Sequence, residues 1–241
     1  MFAEPYHAAS RRPSLSHPVK VIAIDGPVAA GKTVVGLKLA SRLGFQFLDT
    51  GVMYRAITWL ALHQSIPVID NVALGRLAQQ TTITLVDQAG SQVKMGEHQV
   101  GRELREPRVE QNVSQVAQAS EVRQALVQQQ RKLAQEGKIV MVGRDIGTVV
   151  LPGADLKVFL TASPEERARR RWLDLQARGS SSDYQQVLQD IEWRDHLDST
   201  RSNSPLTQAR DAVLVTTDGL EEDQVVELLF NLVRERCGRQ E

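Results

Sequence analysis

Eight consecutive residues, Gly26-Pro27-Val28-Ala29-Ala30-Gly31-Lys32-Thr33, meet the spacing G-x-x-x-x-G-K-[ST] without a mismatch. The chemistry this run offers is capture of a polyphosphate. Glycine at its two fixed positions permits backbone angles that direct successive N–H groups at one anion. A helix opening near Lys32 adds the positive end of its dipole. Lys32 supplies a point charge for the β- and γ-phosphates, and the Thr33 hydroxyl is a ligand for Mg²⁺. Gly26 through Val34 therefore form a candidate site for a nucleoside triphosphate.

The elements flanking this loop fit that purpose. Lys20 to Ile24 is a short β-branched run of the kind buried on both faces of a parallel sheet. After the loop, Val34, Leu37, Leu39, Ala40 and Leu43 recur at helical spacing until Gly44. Further strands are expected at Phe45 to Leu48, Lys138 to Val142, Asp155 to Leu160 and Ala212 to Val215. The fold expected is α/β, a three-layer α/β/α arrangement around a five-stranded parallel sheet, in which ligands bind beyond the carboxyl ends of the strands.

Two such ends carry polar clusters. Asp49-Thr50-Gly51 with Tyr54-Arg55 follows the second strand, and Gly143-Arg144-Asp145-Ile146-Gly147-Thr148 follows the third. Thr50 and Arg55 are placed for the phosphate of an acceptor, and the Arg144–Asp145 pair either serves a ligand or braces its loop. Between the two clusters the βα rhythm breaks. Thr81 to Val86, Gln92 to Met95 and His98 to Val100 read as strands of a small antiparallel insertion over residues 63–104. His63 and His98 within it are read as isolated surface histidines without a role. Residues 107–137 read as two helices, the second capped by Ser120, with Ser114 and Arg123 as polar side chains on this structural pair.

Ser163-Pro164-Glu165-Glu166 signals a helix start: Ser at the cap, Pro at the first turn, Glu three residues on. That helix carries Arg167, Arg169, Arg170 and Arg171, more guanidiniums than the nearby carboxylates offset. They form either a solvated face or a phosphate-binding lid over residues 163–182, hinged at Gly179 and Ser180 to Ser182. A following helix, from Asp183 to about His196, leads to Arg194, Asp198 and Arg201, whose i, i+4, i+7 spacing puts them on one face. A last amphipathic helix is expected over Glu221 to Arg236.

Composition narrows the class. The 241 residues hold 29 Lys+Arg and 29 Asp+Glu, a balance that argues against a general nucleic-acid binder. Cys237 is the sole cysteine, which fits a reducing compartment. No apolar run approaches the roughly 20 residues a membrane helix needs, so a cytoplasmic protein without membrane partners is expected. The Pro-, Ser- and Arg-containing residues 1–18 read as a disordered extension, with a faint transit-peptide flavour. The remaining organisation expected is core at 19–62, 105–162 and 183–241.

No N-K-x-D motif occurs, which disfavours a GTPase, and the chain is small for a motor. A kinase for a hydroxyl acceptor such as shikimate would want a carboxylate base, for which Asp25 and Asp49 are the candidates. A kinase for another nucleoside monophosphate and an ATP-dependent regulatory switch also stand as alternatives.

Taken together, Gly26 to Thr33 after Ile22-Ala23-Ile24-Asp25, Asp49-Thr50-Gly51 with Tyr54-Arg55, Gly143 to Val150, and Arg194-Asp195 through Asp198 and Arg201 to Pro205-Leu206 resemble bacterial cytidylate kinases from about Val19 to Arg236. The Val28-Ala29-Ala30 stretch departs from that family's commoner glycine-containing loop. The resemblance implies transfer of the ATP γ-phosphoryl group to CMP or dCMP by a monomer using Mg²⁺. It implies a substrate site of Thr50, Tyr54, Arg55, Ser114, Arg123, Arg144, Asp145, Arg194, Asp198 and Arg201. Within it, Ser114, Arg123 and Asp145 would read cytosine, Arg55 and Arg144 would hold the phosphate, and Asp198 with Arg194 the sugar. Lys32, Arg144, Arg170 and Arg201 would act on the transferring group.

Overall fold

In a computed structural model, which describes residues 18–237 apart from 88, 91, 178 and 202, five parallel strands form the central sheet. They are β1 (Val21–Asp25), β2 (Gln46–Asp49), β6 (Ile139–Gly143), β7 (Leu156–Thr161) and β8 (Val213–Thr216), in the spatial order β2-β6-β1-β7-β8. Each of the five strands, β1 included, begins and ends one residue later than its apolar run suggests. The extension expected at residues 1–18 lies, but for Pro18, outside the described residues.

Alternation of side chains across the sheet makes two cores. Ile22, Ile24, Val140, Val142, Val158 and Leu160 face α1 (Lys32–Leu43) and α8 (Glu222–Cys237), where Val35, Leu39, Val225 and Leu229 close the layer. Ala23, Leu48, Ile139 and Met141 face the opposite layer. That layer holds α2 (Thr50–His63), α3 (Asn71–Gln80), α4 (Pro107–Val116) and α5 (Ser120–Ala134). Continuous apolar strands thus follow from burial on both faces.

The insertion is a three-stranded antiparallel sheet, β3 (Ile83–Leu85), β4 (Val93–Met95) and β5 (His98–Val100). It is not separate from the core, since Ile83, Val93, Met95 and Val100 pack into the cluster built on α2 and α5. Helix α3 was not anticipated. Its signals are nevertheless ordinary: Asp70 caps it by accepting from Ala73 N at 3.0 Å, and Leu74, Leu77 and Ala78 form its buried stripe. The two histidines are not isolated. His63 stacks on Trp59 with ring centres 4.8 Å apart, and His98 meets both rings edge-on. Ser120 is the first residue of α5 rather than its cap, a position held by Ala119 without a side-chain bond.

Helices α6 (Pro164–Ala177) and α7 (Tyr184–Thr200) pair on a small cluster of their own, Ala168, Val187 and Ile191. Val28 and Ala29 pack against that cluster, joining it to the glycine loop. The box expected at the start of α6 is half made: Ser163 Oγ accepts from Glu166 N at 3.3 Å. Ser163 N instead donates to Asp218, because Glu166 is taken by Arg169 and Arg170. Helix α7 runs one turn past His196, so Arg201 is its cap residue rather than part of its face.

Candidate active site

The glycine loop leaves β1 at the sheet's centre. Gly26 sits at φ +151°, and a Cβ there would stand 1.9 Å from the Leu160 carbonyl oxygen, so strand β7 enforces glycine. Ala29 takes the left-handed φ of 58°, the conformation in which the residue at that position is strained unless it is glycine, and Gly31 caps α1 at φ 86°. Pro27 and Ala30 are buried, while Val34 turns outward at the first turn of α1. Lys32 is 7% exposed and donates from Nζ to the Pro27 carbonyl at 2.6 Å. Burial, then the charge of Arg144, pulls its pKa well below 10.5, so its charged form is costly here unless an anion lies beside it.

Thr33 lies exposed beside β2, its hydroxyl donating to Asp49 Oδ2 at 2.7 Å. Asp49 Oδ1 accepts from Gly51 N at 2.9 Å and so caps α2. Thr50 is buried, and its hydroxyl donates to the Val142 carbonyl at 3.0 Å, tying α2 to β6. Asp25 is buried as well. Its oxygens accept from Ile146 N and Gly147 N, each at 2.7 Å, and hold the single π-helical turn Ile146–Val150 against β1. With both oxygens committed to the backbone, Asp25 is not placed as a base for a hydroxyl acceptor.

The residues expected on the acceptor side come from five segments. Asp145 is 5% exposed, pairs with Arg123 Nη2, and lies 3.8 Å from Arg201 Nη2. Arg123 also lies over the Tyr54 ring, 5.5 Å from its centre, and burial pushes the Tyr54 hydroxyl up from 10.0 to about 12. Arg144 Nε donates to Asp198 Oδ2 at 2.7 Å, and Arg201 Nη1 stands 3.8 Å from the other oxygen. The result is a chain of alternating charge, Arg123–Asp145–Arg201–Asp198–Arg144. Gly143 permits the crowding at its start, since a Cβ there would meet Thr50 Oγ1 and Ile146 Cδ1 at 2.6 Å. Arg55 and Arg194 lie beyond this chain and both bond Glu110, and Ser114 is half-buried on α4.

The α6 arginines divide. Arg170 donates to Thr217 Oγ1 at 2.9 Å and to its carbonyl at 2.7 Å, and its Nη1 lies 4.0 Å from a Cβ position built on Gly31. It therefore stands over the glycine loop. Arg169 is exposed and bonds Glu166. Arg167 is turned away from solvent and spent on internal partners: it is 3% exposed, donating to the Ala162 carbonyl and to that of Val28 in the glycine loop, and pairing with Asp195 of α7 at 2.6 Å. The expectation that this run outnumbers its carboxylates fails at Arg167 because Asp195 comes from the next helix. Arg105 and Glu110 stand in no motif, and Asp195, although part of the Arg194-Asp195 block, carries no role in the sequence reading; only tertiary packing pairs them.

Among the described residues, no helix is long and apolar enough to cross a membrane. A cytidylate kinase family profile matches residues 22–235. The cytidylate kinase of Caldanaerobacter subterraneus subsp. tengcongensis is 48% identical over 213 residues, 88% of this chain and 94% of that one. Those of Desulforamulus reducens and Exiguobacterium sibiricum are 49% and 50% identical, covering 89% and 88% of this chain and 96% and 95% of theirs. Glycine loop, aspartate–arginine chain and near end-to-end similarity agree, and the chain belongs to the cytidylate kinase family.

Proposed function

We propose that this chain transfers the γ-phosphoryl group of ATP to CMP and dCMP through the residues placed above. The observation that carries the reading is the buried Arg123–Asp145 pair at the head of the acceptor-side charge chain. Cytosine presents an amino donor where uracil presents a carbonyl. A fixed buried carboxylate accepts from the first and is left unpaired by the second, which is how a site rejects an analogue strongly. Arg123 holds that carboxylate in place, and Ser114 offers a hydroxyl from α4.

The acceptor's phosphate is already anionic at neutral pH, so transfer needs no general base. What opposes it is repulsion between two polyanions brought in line. Arg55 and Arg144 hold the acceptor phosphate, with Thr50 and Tyr54 forming its wall, and Arg194 and Asp198 take the sugar. Arg201 Nη2, buried without a hydrogen-bond partner among the described residues, supplies a donor for charge that develops in transfer. On the donor side the backbone N–H groups of residues 28–34 cradle the β- and γ-phosphates, Lys32 neutralises them, and Arg170 approaches from above.

The exposed Thr33 hydroxyl beside Asp49 suits a hard cation held mainly by phosphate and water oxygens. Mg²⁺ bound there by Thr33 would shield the phosphate charges. We assign residues 63–104 to clasping the acceptor and residues 163–182 to closing over ATP, excluding water that would otherwise hydrolyse it. The chain is taken to act as a monomer, and the lone thiol supports a cytoplasmic setting.

Steady-state assays across CMP, dCMP, UMP, AMP, dTMP and shikimate test the reading. The highest kcat/KM is expected with a cytidine nucleotide, and a higher value with any other acceptor overturns it.

A further inference from the structure

Glu110 belongs to no motif in the sequence, yet three guanidiniums converge on it. Arg55 Nε donates to its Oε1 at 2.8 Å. Arg194 Nη1 stands 3.4 Å from its Oε2, while Arg194 Nη2 donates to the Glu110 backbone carbonyl at 2.9 Å. Arg105 Nη1 is 3.6 Å from Oε1. The side chain is only 12% exposed. Burial would raise its pKa, but Arg55, Arg194 and Arg105 outweigh burial and hold it at about 2, so it is a carboxylate throughout the working range.

Two features of this cluster bear on the acceptor. First, a guanidinium has distinct edges, and Glu110 takes the Nε of Arg55 while Arg55 Nη1 projects over the start of α2, 2.8 Å from a Cβ position built on Gly51. The terminal edge is thereby left toward the acceptor side. Second, three guanidiniums crowded without an anion would repel one another and spread apart. One carboxylate holds them together and still leaves the cluster cationic toward a phosphate. Glu110 projects from α4 and joins α2, which carries Arg55, to α7, which carries Arg194.

We propose that Glu110 is a positioning residue for the acceptor nucleotide, fixing Arg55 and Arg194 so that their remaining N–H groups meet its phosphate and sugar without rearrangement. This rests on the reading of Arg55 and Arg194 as acceptor contacts. Preorganisation of this kind shows in acceptor affinity, because side-chain ordering is completed before binding.

The test compares full-length wild type, Glu110→Gln, Glu110→Asp and Arg55→Ala, with CMP and ATP varied separately and thermal unfolding recorded for each. Glu110→Gln is expected to raise KM for CMP about 10-fold, the scale of one charge-assisted hydrogen bond, with KM for ATP moving less than two-fold. Glu110→Asp, which keeps the charge, should recover part of the loss. A lower KM for CMP in Glu110→Gln would make the carboxylate a competitor of the phosphate and overturn the proposal. An unchanged KM would leave Glu110 a brace, and equal rises for both nucleotides with a lowered Tm would leave it a general stabiliser; either outcome also overturns it. Arg55→Ala separates the two levels. If it leaves KM for CMP unmoved, the acceptor reading itself fails; if it raises KM while Glu110→Gln does not, only the role of Glu110 fails.

Discussion

On the proposed reading, the donor loop and the acceptor crevice answer the same problem, holding phosphate against water, by opposite means. On the donor side, residues 26–34 are contiguous and work largely through backbone N–H groups, and their one cation, Lys32, bonds a carbonyl. On the acceptor side the donors are side chains from α2, α4, α5, the turn after β6 and α7, and the cations are braced by carboxylates: Arg55 by Glu110, Arg123 by Asp145, Arg144 by Asp198. Backbone donors are fixed by the fold and need no counter-ion. Side-chain donors must be held apart and aimed, and a paired carboxylate does both. The donor side should therefore depend on single charges, and the acceptor side on pairs.

Lys32→Ala probes the donor half most sharply. Removing a buried cation whose attraction grows as charge develops is expected to lower kcat by about 1000-fold. Single-turnover measurements with saturating ATP and CMP check this, and a loss under 10-fold would move the main charge stabilisation to the arginines.

Asp25 connects the halves, since it ends the donor strand yet holds the acceptor turn at Ile146 and Gly147. Burial raises its carboxyl from 3.8 to about 6 despite those two bonds. The folded chain thus holds the proton more tightly than the unfolded chain. The group's contribution to stability is complete below about pH 3.8 and is lost as pH rises through about 6. The displacement is worth about 3 kcal/mol. Urea unfolding of wild type and Asp25→Asn from pH 3.5 to 8 should show the wild type losing about that much relative to the variant. A difference that is flat with pH would remove Asp25 from the titrating groups.

Asp145→Asn tests the pairing rule on the acceptor side. It leaves Arg123 without its counter-charge and converts part of the base-facing acceptor into a donor. We expect kcat/KM for CMP to fall about 100-fold while KM for ATP changes less than three-fold. Equal losses for both nucleotides would mean that the pair braces the loop rather than reading the base.

The same contrast explains what the sequence disclosed. Nine adjacent loop residues between an apolar strand and a periodic helix announce both site and fold, because backbone binding ties function to local geometry. Gly143-Arg144-Asp145 was visible as a polar interruption at a strand's end. Its partners Arg123 and Asp198 are far along the chain, and the pairing itself had no local signature. Glu110 and Arg105 show the limit: Glu110 sits in a stretch that also reads as solvated helix, Arg105 ends the short turn before it, and only the packing of α4 between α2 and α7 gives them meaning. Helix α3 was obscured differently, by Gly75 within it, which lies against Glu121 and so makes room for α5.

Helix α6 contains the contrast in miniature. Arg167 is spent on backbone carbonyls and Asp195, Arg170 is aimed over the glycine loop by Thr217, and Arg169 lies 56% exposed beside Glu166. Arg170→Ala should lower kcat about 10-fold, since a partly exposed guanidinium near the phosphates is worth less than the buried Lys32. Arg169→Ala removes an exposed ion pair and should leave kcat within two-fold. Steady-state kinetics on both variants at low and moderate salt would rank them. If the two lose equally, α6 acts through diffuse charge and the loss should shrink as salt rises. If only Arg170 matters, a side chain has joined the donor site because Thr217 fixes its direction, and even the backbone-built half of the molecule then relies on an aimed guanidinium at its open edge.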